Sequence, residues 1–303
     1  MFSGKCEAKV ETVALNEPGP DDVVIDTAYS GVSTGTERLF WSGDMPPFPG
    51  LSYPLVPGYE TVGKVVDAGR RAELQDQWVF VPGASCYREA RGLFGGAASR
   101  LIAPASRVAP INFDNPANGV LLALAATAYH AIEAGKPPDL IIGHGVFGRL
   151  LARLTLAAGA PAPVVWEIDP ERWDGCAYPV IDPDEDGRSD YSSIYDVSGD
   201  ADLLDRLVAH AAPGAEIVLA GFYPGRVSFS FAPAFMKEMR FRIAAEWRDS
   251  DLAAVAKSAH DGAFSLDGLI THHAPSAEAE NAYKTAFSDP ACLKMILDWR
   301  ASA

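Results

Sequence analysis

Three glycines and one acid in the middle of the chain have the types and spacing needed to hold a dinucleotide. The stretch DLIIGHGVFGRLLARLTLAAGA, residues 139–160, places Gly143, Gly145 and Gly148 in a GxGxxG order. An apolar strand pattern precedes them and an Ala/Leu-rich helix pattern follows, which is the context the motif requires. The first glycine permits a tight turn, the second lets a pyrophosphate approach the backbone, and the third lets helix and strand pack closely. The first N–H groups of the helix would then face the phosphates. Glu167 ends the next apolar run, PVVWE, at 167 − 148 = 19 residues past the third glycine, close to the expected separation of about 20. A carboxylate there accepts hydrogen bonds from ribose hydroxyls and repels a 2′-phosphate, so NAD is expected rather than NADP. The competing reading is a plain strand-to-helix turn, and it leaves the spacing of the acid unexplained.

Two further loops belong to the same expectation. Asp196-Val197-Ser198-Gly199 and Ala220-Gly221-Phe222-Tyr223 each follow an apolar strand pattern. Loops at the carboxyl ends of parallel strands line the ligand crevice of such folds. Ordinary glycine turns are the alternative for each.

The elements that would position these residues change character along the chain. Up to about residue 110 the pattern is β-rich. Val23-Val24-Ile25 follows PGPDD, Thr61–Val66 ends at Ala68-Gly69, and Trp78–Val81 stops at Pro82-Gly83. Short strands between Gly/Pro punctuation predict a barrel or sandwich. Residues 41–57 carry five prolines and two glycines and read as a long, functional loop. GVLLALAATAYHAIEAG, 119–135, reads as a helix closed by Gly135. Beyond it, strands at Leu140–Ile142, Val164–Trp166, Val180-Ile181, Ile194–Val197, Glu216–Ala220 and Phe241–Ala245 alternate with helices at Leu150–Ala158 and Leu203–Ala211. That alternation predicts a parallel sheet with helices on its faces. After Glu167 only PERWDGC is available for a crossover helix, so a shortened helix or a loop is expected there. The tail from Asp251 reads as mostly helical, ending in the apolar run CLKMILDW.

The totals exclude several classes. A chain of 303 residues suits two domains, and 48% hydrophobic with 21% charged residues is a globular composition. The net charge of −15 and the lack of a Lys/Arg run argue against a nucleic-acid partner and against docking on anionic lipid. Cys6, Cys86, Cys176 and Cys292 are widely separated, which suits neither a disulfide framework nor a zinc knuckle. No signal peptide and no transmembrane segment is read, so the expected location is the cytoplasm.

Longer stretches carry a family resemblance. GVSTGTE (31–37), PGYETVGKVVDAG (57–69), GLFGGAASRLIAPASRVAPI (92–111), the GHGVFG loop and SLDGLITHH (265–273) resemble the medium-chain dehydrogenase/reductase superfamily over nearly the whole chain. The resemblance implies an α/β fold. It combines a β-rich GroES-like catalytic domain (1–112 and 247–303) with a Rossmann doubly wound parallel-sheet domain (113–246). Within that superfamily, STGTERLFWSGDMPPFPGLSYPLVPGYE, CYREARGLFGGAASR, IVLAGFYPGRVSF, FMKEMRFRIAAEW and CLKMILDWR are similar to the bacteriochlorophyllide dehydrogenase branch. That branch oxidises the 1-hydroxyethyl group at ring position 3 to acetyl.

The resemblance also implies site residues. Zinc members place a Cys, a His and a further Cys where this chain has Ser33, Tyr59 and Ala123. None of these offers the thiolate or imidazole that zinc needs, so no metal is expected. A side chain or water must then take the alcohol proton. The candidates are Thr36, Tyr59, Glu60, Tyr129, His130 and His144, and they stay open at this point. The implied cofactor contacts are Thr127, Gly143, Gly145, Val146, Phe147, Gly148, Glu167, Ser198, Gly221 and Phe222. The implied substrate is a bacteriochlorophyllide-type tetrapyrrole. Ser33, Trp41, Phe48 and Tyr53 would line its pocket, and Arg91, or Arg38, Arg88 or Arg100, would meet its carboxylate. A homodimer built through the dinucleotide sheet is expected by analogy. Two alternatives remain: a zinc-free NADPH-dependent quinone or enone reductase, and a nucleotide-binding scaffold without turnover.

Overall fold

The computed structural model describes residues 1–173 and 177–301, so Cys176 lies outside it. The chain forms two compact units, Met1–Ala123 with Leu266–Ala303, and Leu124–Ser265.

The amino-terminal part of the first unit is built from short strands between turns. They are β1 (Phe2–Gly4), β2 (Glu7–Ala8), β3 (Asp22–Gly31), β4 (Leu55–Val56), β5 (Thr61–Asp67), β6 (Trp78–Val81), β7 (Arg91–Gly92), β8 (Arg100–Pro104) and β9 (Ala109–Pro110), with helix α1 (Thr36–Ser42) after β3. β3 is the spine, pairing antiparallel with both β5 and β8. Burial alternates along its first half, as a strand with two unlike faces requires. Val23, Ile25, Val65, Val79, Val81 and Leu101 pack together in one core cluster. Phe2, Phe40, Leu55, Tyr283, Met295 and Leu297 pack in another.

Among its described residues, the second unit holds one six-stranded sheet. Its strands are β10 (Leu140–Ile142), β11 (Val164–Trp166), β12 (Val180–Ile181), β13 (Tyr191–Asp196), β14 (Ala211–Leu219) and β15 (Arg240–Ile243). All pairs are parallel, in the order β12-β11-β10-β13-β14-β15. Counted within the unit this is 3-2-1-4-5-6, the doubly wound Rossmann order, with its switch point between β10 and β13. The helices are α2 (Leu122–Glu133), of which all but the first two residues belong to this unit, α3 (Val146–Ala157), α4 (Leu204–His210), α5 (Phe231–Met236) and α6 (Asp249–His260). Among the described residues between β11 and β12, a 3-10 turn, Pro170–Arg172, stands where a crossover helix would normally run.

The tail departs from the mostly helical expectation. Besides α6 it contains β16 (His272–Pro275), α7 (Ala279–Ser288) and β17 (Met295–Asp298). CLKMILDW therefore ends in a strand, which pairs with β16 on one side and with β3 on the other. Met295, Ile296 and Leu297 are all buried. A strand covered on both faces loses its alternation and reads like a short buried helix. Among the described residues, no helix is long and apolar enough to cross a membrane.

Candidate active site

In the second unit the glycine loop leaves β10 at Ile142. Gly143 has φ +99°, a backbone conformation that suits glycine, and its N–H donates to the Trp166 carbonyl at 2.9 Å. At Gly148, in the first turn of α3, a Cβ would stand 1.9 Å from the Gly143 carbonyl oxygen. No side chain fits there, so the third glycine is demanded by the protein itself. Gly145 is different: a Cβ on it would meet nothing within 4 Å. The space before the second glycine is open, and a pyrophosphate can approach the backbone there. Gly145 is also the N-cap of α3 and provides no side-chain cap. The fit to a dinucleotide phosphate is therefore good. Val146 is buried and Phe147 half-buried in the first helical turn.

Glu167 follows β11 and braces this loop. Its Oε2 accepts the His144 N–H at 2.9 Å and its Oε1 accepts the Asp169 N–H at 3.0 Å. Each oxygen keeps a second lone pair. The His144 ring turns away from the open side. Nδ1 donates to the Arg172 carbonyl at 2.6 Å, so Nε2 is left to accept the Tyr178 hydroxyl at 2.9 Å. Burial, and then the Arg149 guanidinium, lower its pKa to about 4. His130 sits on α2, and its Nδ1 lies 2.8 Å from Asp251 Oδ2. Thr127 and Tyr129 are half-buried on the same helix.

Past β13, Asp196 Oδ1 accepts from the Ser198 N–H at 2.9 Å and hydroxyl at 2.6 Å. Burial raises the Asp196 pKa. Past β14, the Gly221 N–H donates to the Asp196 carbonyl at 3.0 Å. Its neighbour Phe222 is 46% exposed. Ser198 and Gly221 thus sit side by side at the carboxyl ends of β13 and β14.

In the first unit, Ser33 and Tyr59 share a hydrogen bond of 2.6 Å between their hydroxyls. The Thr36 side chain also lies against the Tyr59 hydroxyl. Burial, followed by the nearby Glu60 charge, raises the Tyr59 pKa well above the ordinary tyrosine value. Tyr59 is therefore a neutral phenol that can give and accept a proton in a hydrogen bond but does not persist as phenolate. The Phe94 ring stands edge-on to it at 5.4 Å, with Phe48 a further 6.2 Å along. An aromatic wall thus flanks the hydroxyl pair.

Glu60 is engaged within the protein. It is fully buried and paired with Lys294, whose Nζ lies 2.7 and 3.0 Å from the two carboxylate oxygens. Glu37, in the first turn of α1, is a second fully buried carboxyl nearby. Burial, then the charge of Glu60, raises its pKa to about 8.

The remaining pocket candidates are scattered. Trp41 packs on Phe287 at 5.5 Å. The Tyr53 hydroxyl donates to the Phe40 carbonyl. Tyr53, Arg88, Glu89 and Arg91 line a cavity of about 620 Å³. Arg88 is bound to Glu17 at 3.2 Å, and Asp26 holds Arg100 through two bonds of 2.6 and 3.0 Å. Arg38 is exposed.

The donors do not fit zinc. Ser33 and Tyr59 hydrogen-bond to one another, and Ala123 is a buried methyl. Among the described residues, no group of three or more His, Cys, Asp or Glu converges. Sequence reasoning missed Phe94, Glu37, Tyr283 and Lys294. A signal existed for Lys294, a lone cation inside an apolar run. Local sequence held none for Glu37.

Residues 19–113 match the alcohol dehydrogenase GroES-like domain. The chain is similar to the 2-desacetyl-2-hydroxyethyl bacteriochlorophyllide A dehydrogenase of Rhodobacter capsulatus, with 56% identity over 99% of this chain and 97% of that one. Its fold is similar to that of a putative zinc-binding dehydrogenase from Sinorhizobium meliloti bound to NADP, with a TM-score of 0.82, 19% identity and coverage of 98% and 97%. It is also similar to that of a short chain alcohol dehydrogenase from Escherichia coli complexed with NADH, with a TM-score of 0.84, 18% identity and the same coverage. At these identities the two structures bear on fold alone. The fold is a GroES-like β-rich unit combined with a Rossmann unit.

Proposed function

The chain belongs to the 2-desacetyl-2-hydroxyethyl bacteriochlorophyllide A dehydrogenase family, within the medium-chain dehydrogenases/reductases, and from that premise we propose that it oxidises the 3-(1-hydroxyethyl) group of a bacteriochlorophyllide or chlorophyllide to 3-acetyl, with NAD and without zinc. The observation that carries the reading is the Ser33–Tyr59 hydroxyl pair, set beside an aromatic wall at positions where zinc members hold metal donors.

NAD supplies the hydride acceptor when bound. Gly143, Gly145 and Gly148, with Val146 and Phe147, would hold its pyrophosphate, and Ser198, Gly221, Phe222 and Thr127 would contact the rest of it. Glu167 uses its remaining lone pairs for the ribose hydroxyls, and its charge disfavours a 2′-phosphate. The pigment alcohol docks on the Tyr59–Ser33 pair. As hydride leaves the carbinol carbon, the O–H proton passes into that hydrogen-bonded pair, assisted by Thr36, and the half-buried Tyr59 releases one proton to solvent water, so that both hydroxyls end neutral. Because Tyr59 stays a neutral phenol, it positions the oxygen and relays the proton rather than storing charge. His130 and His144 are bound to Asp251, Arg172 and Tyr178 and serve structure. Phe48 and Phe94 give the macrocycle apolar contact, and Arg91 pairs with its carboxylate.

The enzyme works in the cytoplasm as a homodimer joined through β15. This outermost strand exposes Ile243 at 80%, and the preceding helix α5 exposes Phe231 at 70%, Phe235 at 63% and Met236 at 78%. An unpaired edge with exposed apolar side chains favours a second copy. Sedimentation at micromolar concentration gives twice the chain mass; a monomer refutes this part.

The test of activity is incubation of the purified protein with a 3-(1-hydroxyethyl) bacteriochlorophyllide and either NAD or NADP. The pigment's red band and NADH formation are followed with and without chelator. Conversion with NAD that resists chelator is expected. No conversion with either nucleotide, in a protein that binds NADH, would refute the reading.

A further inference from the structure

Among the described residues of the first unit, two carboxyls, Glu37 and Glu60, are buried with one lysine ammonium, Lys294. Lys294 Nζ has three donors. Two go to the oxygens of Glu60, and the third goes to the Val32 carbonyl at 3.2 Å. None is left for Glu37. Glu37 is itself fully buried, and neither of its oxygens makes a hydrogen bond. The Tyr283 hydroxyl and the Ser33 backbone lie beside it, and that hydroxyl is also without a hydrogen bond. One ammonium balances one carboxylate, and a second buried charge here would stand uncompensated.

We propose that Glu37 is held as a neutral carboxylic acid and is a positioning residue for the Tyr59–Ser33 hydroxyl pair. While Glu37 keeps its proton, Lys294 belongs wholly to Glu60, and Glu60 anchors the backbone that carries Tyr59. Loss of the proton turns Glu37 into a competitor for Lys294 and sets a second negative charge against Glu60 and Tyr59. The groups facing Glu37 are Glu60 just before β5, Lys294 before β17, Tyr283 on α7, Tyr59, the Ser33 N–H and the Met1 α-amino group, whose pKa burial lowers to about 6, so that it is mostly uncharged above pH 7. Burial and Glu60 favour the neutral form. Lys294, Tyr283 and the Ser33 N–H oppose them, and the balance falls near pH 8. The positioning role rests on the proposed oxidation; the protonation state does not.

Infrared spectra of protein labelled with 13C at glutamate carboxyls decide the protonation state in the wild type. An acid C=O band that persists at pH 7, fades near pH 8 and is missing from Glu37→Gln is expected. Stability gives a second readout. Unfolded Glu37 ionises near 4.5 and the folded group near 8. The wild type therefore loses thermal stability relative to Glu37→Gln as pH rises from 5 to 8, and the gap is constant above that. The third readout is turnover: between pH 7 and pH 9 the wild-type kcat falls about tenfold relative to that of Glu37→Gln, following the neutral fraction of one acid. A Glu37 carboxylate band at pH 7, or the same pH profile in both proteins, overturns the proposal. If the glutamine variant does not fold, the wild-type band alone decides. Failure of pigment oxidation at every pH refutes the proposed function instead, because band and stability curve are read without substrate.

Discussion

The nucleotide loop takes Gly143, His144, Gly145 and Gly148 from six consecutive residues. The charge cluster of the first unit ties Lys294 to Val32 across 262 positions of chain. The first is a backbone device. Its geometry follows from a positive φ at Gly143 and from the lack of room at Gly148. The second depends on burial. Glu60 and Lys294 are removed from water and must satisfy each other. A local device is readable and tolerant of its surroundings, whereas a buried cluster exists only after strands far apart in sequence have paired.

The sharpest way to break that contrast is to remove the cation. Lys294→Ala leaves Glu60 buried and unpaired, and a loss of about 3–5 kcal/mol is expected by denaturant unfolding. A loss below about 1 kcal/mol would mean that the cluster is dispensable.

The two regions should also respond oppositely to pH. Glu37 removes stability as pH rises towards 8. His144 does the reverse, since its folded pKa of about 4 lies below the ordinary histidine value of 6.5. Its contribution is complete above 6.5 and disappears as pH falls towards 4. Relative to His144→Gln, the wild type should lose about 3 kcal/mol across that window. Parallel curves for the two proteins would show that the folded His144 ring takes up its proton as readily as the unfolded one, and so that burial does not lower its pKa.

Tyr59→Phe keeps the ring against Phe94 and deletes the hydroxyl. A fall in kcat of about a hundredfold is expected, with NADH binding unchanged in a fluorescence titration. Weaker nucleotide binding would mean that the regions do not divide the work as described.

The smallest effects separate two glycines of one motif. Gly148→Ala forces a Cβ into the Gly143 carbonyl, so about 1–3 kcal/mol of stability should be lost. Gly145→Ala meets no protein atom. Its melting should change little, while NADH affinity drops about tenfold, or about 1.4 kcal/mol. Equal losses of stability in both variants would contradict the assignment of open space to Gly145.

What the sequence by itself determined is largely local. The strand–glycine loop–helix unit, the acid 19 residues on, the short crossover after Glu167 and the β-rich first hundred residues are set by short-range pattern and turn chemistry. Ser33 and Tyr59 were marked by the family resemblance, as positions where zinc members hold metal donors, although their hydrogen bond was not. Tertiary structure decided the rest. It made a strand of the last apolar run, because β3 and β16 cover it on both sides. It turned His144 inward, onto a carbonyl 28 residues away. Trp41 and Tyr53 went to packing and backbone contacts, while Phe94 came to Tyr59. Above all it set Glu37, Glu60 and Lys294 together. The state of a buried charge depends on which other charges share its cavity, and only the completed sheet brings these three into one.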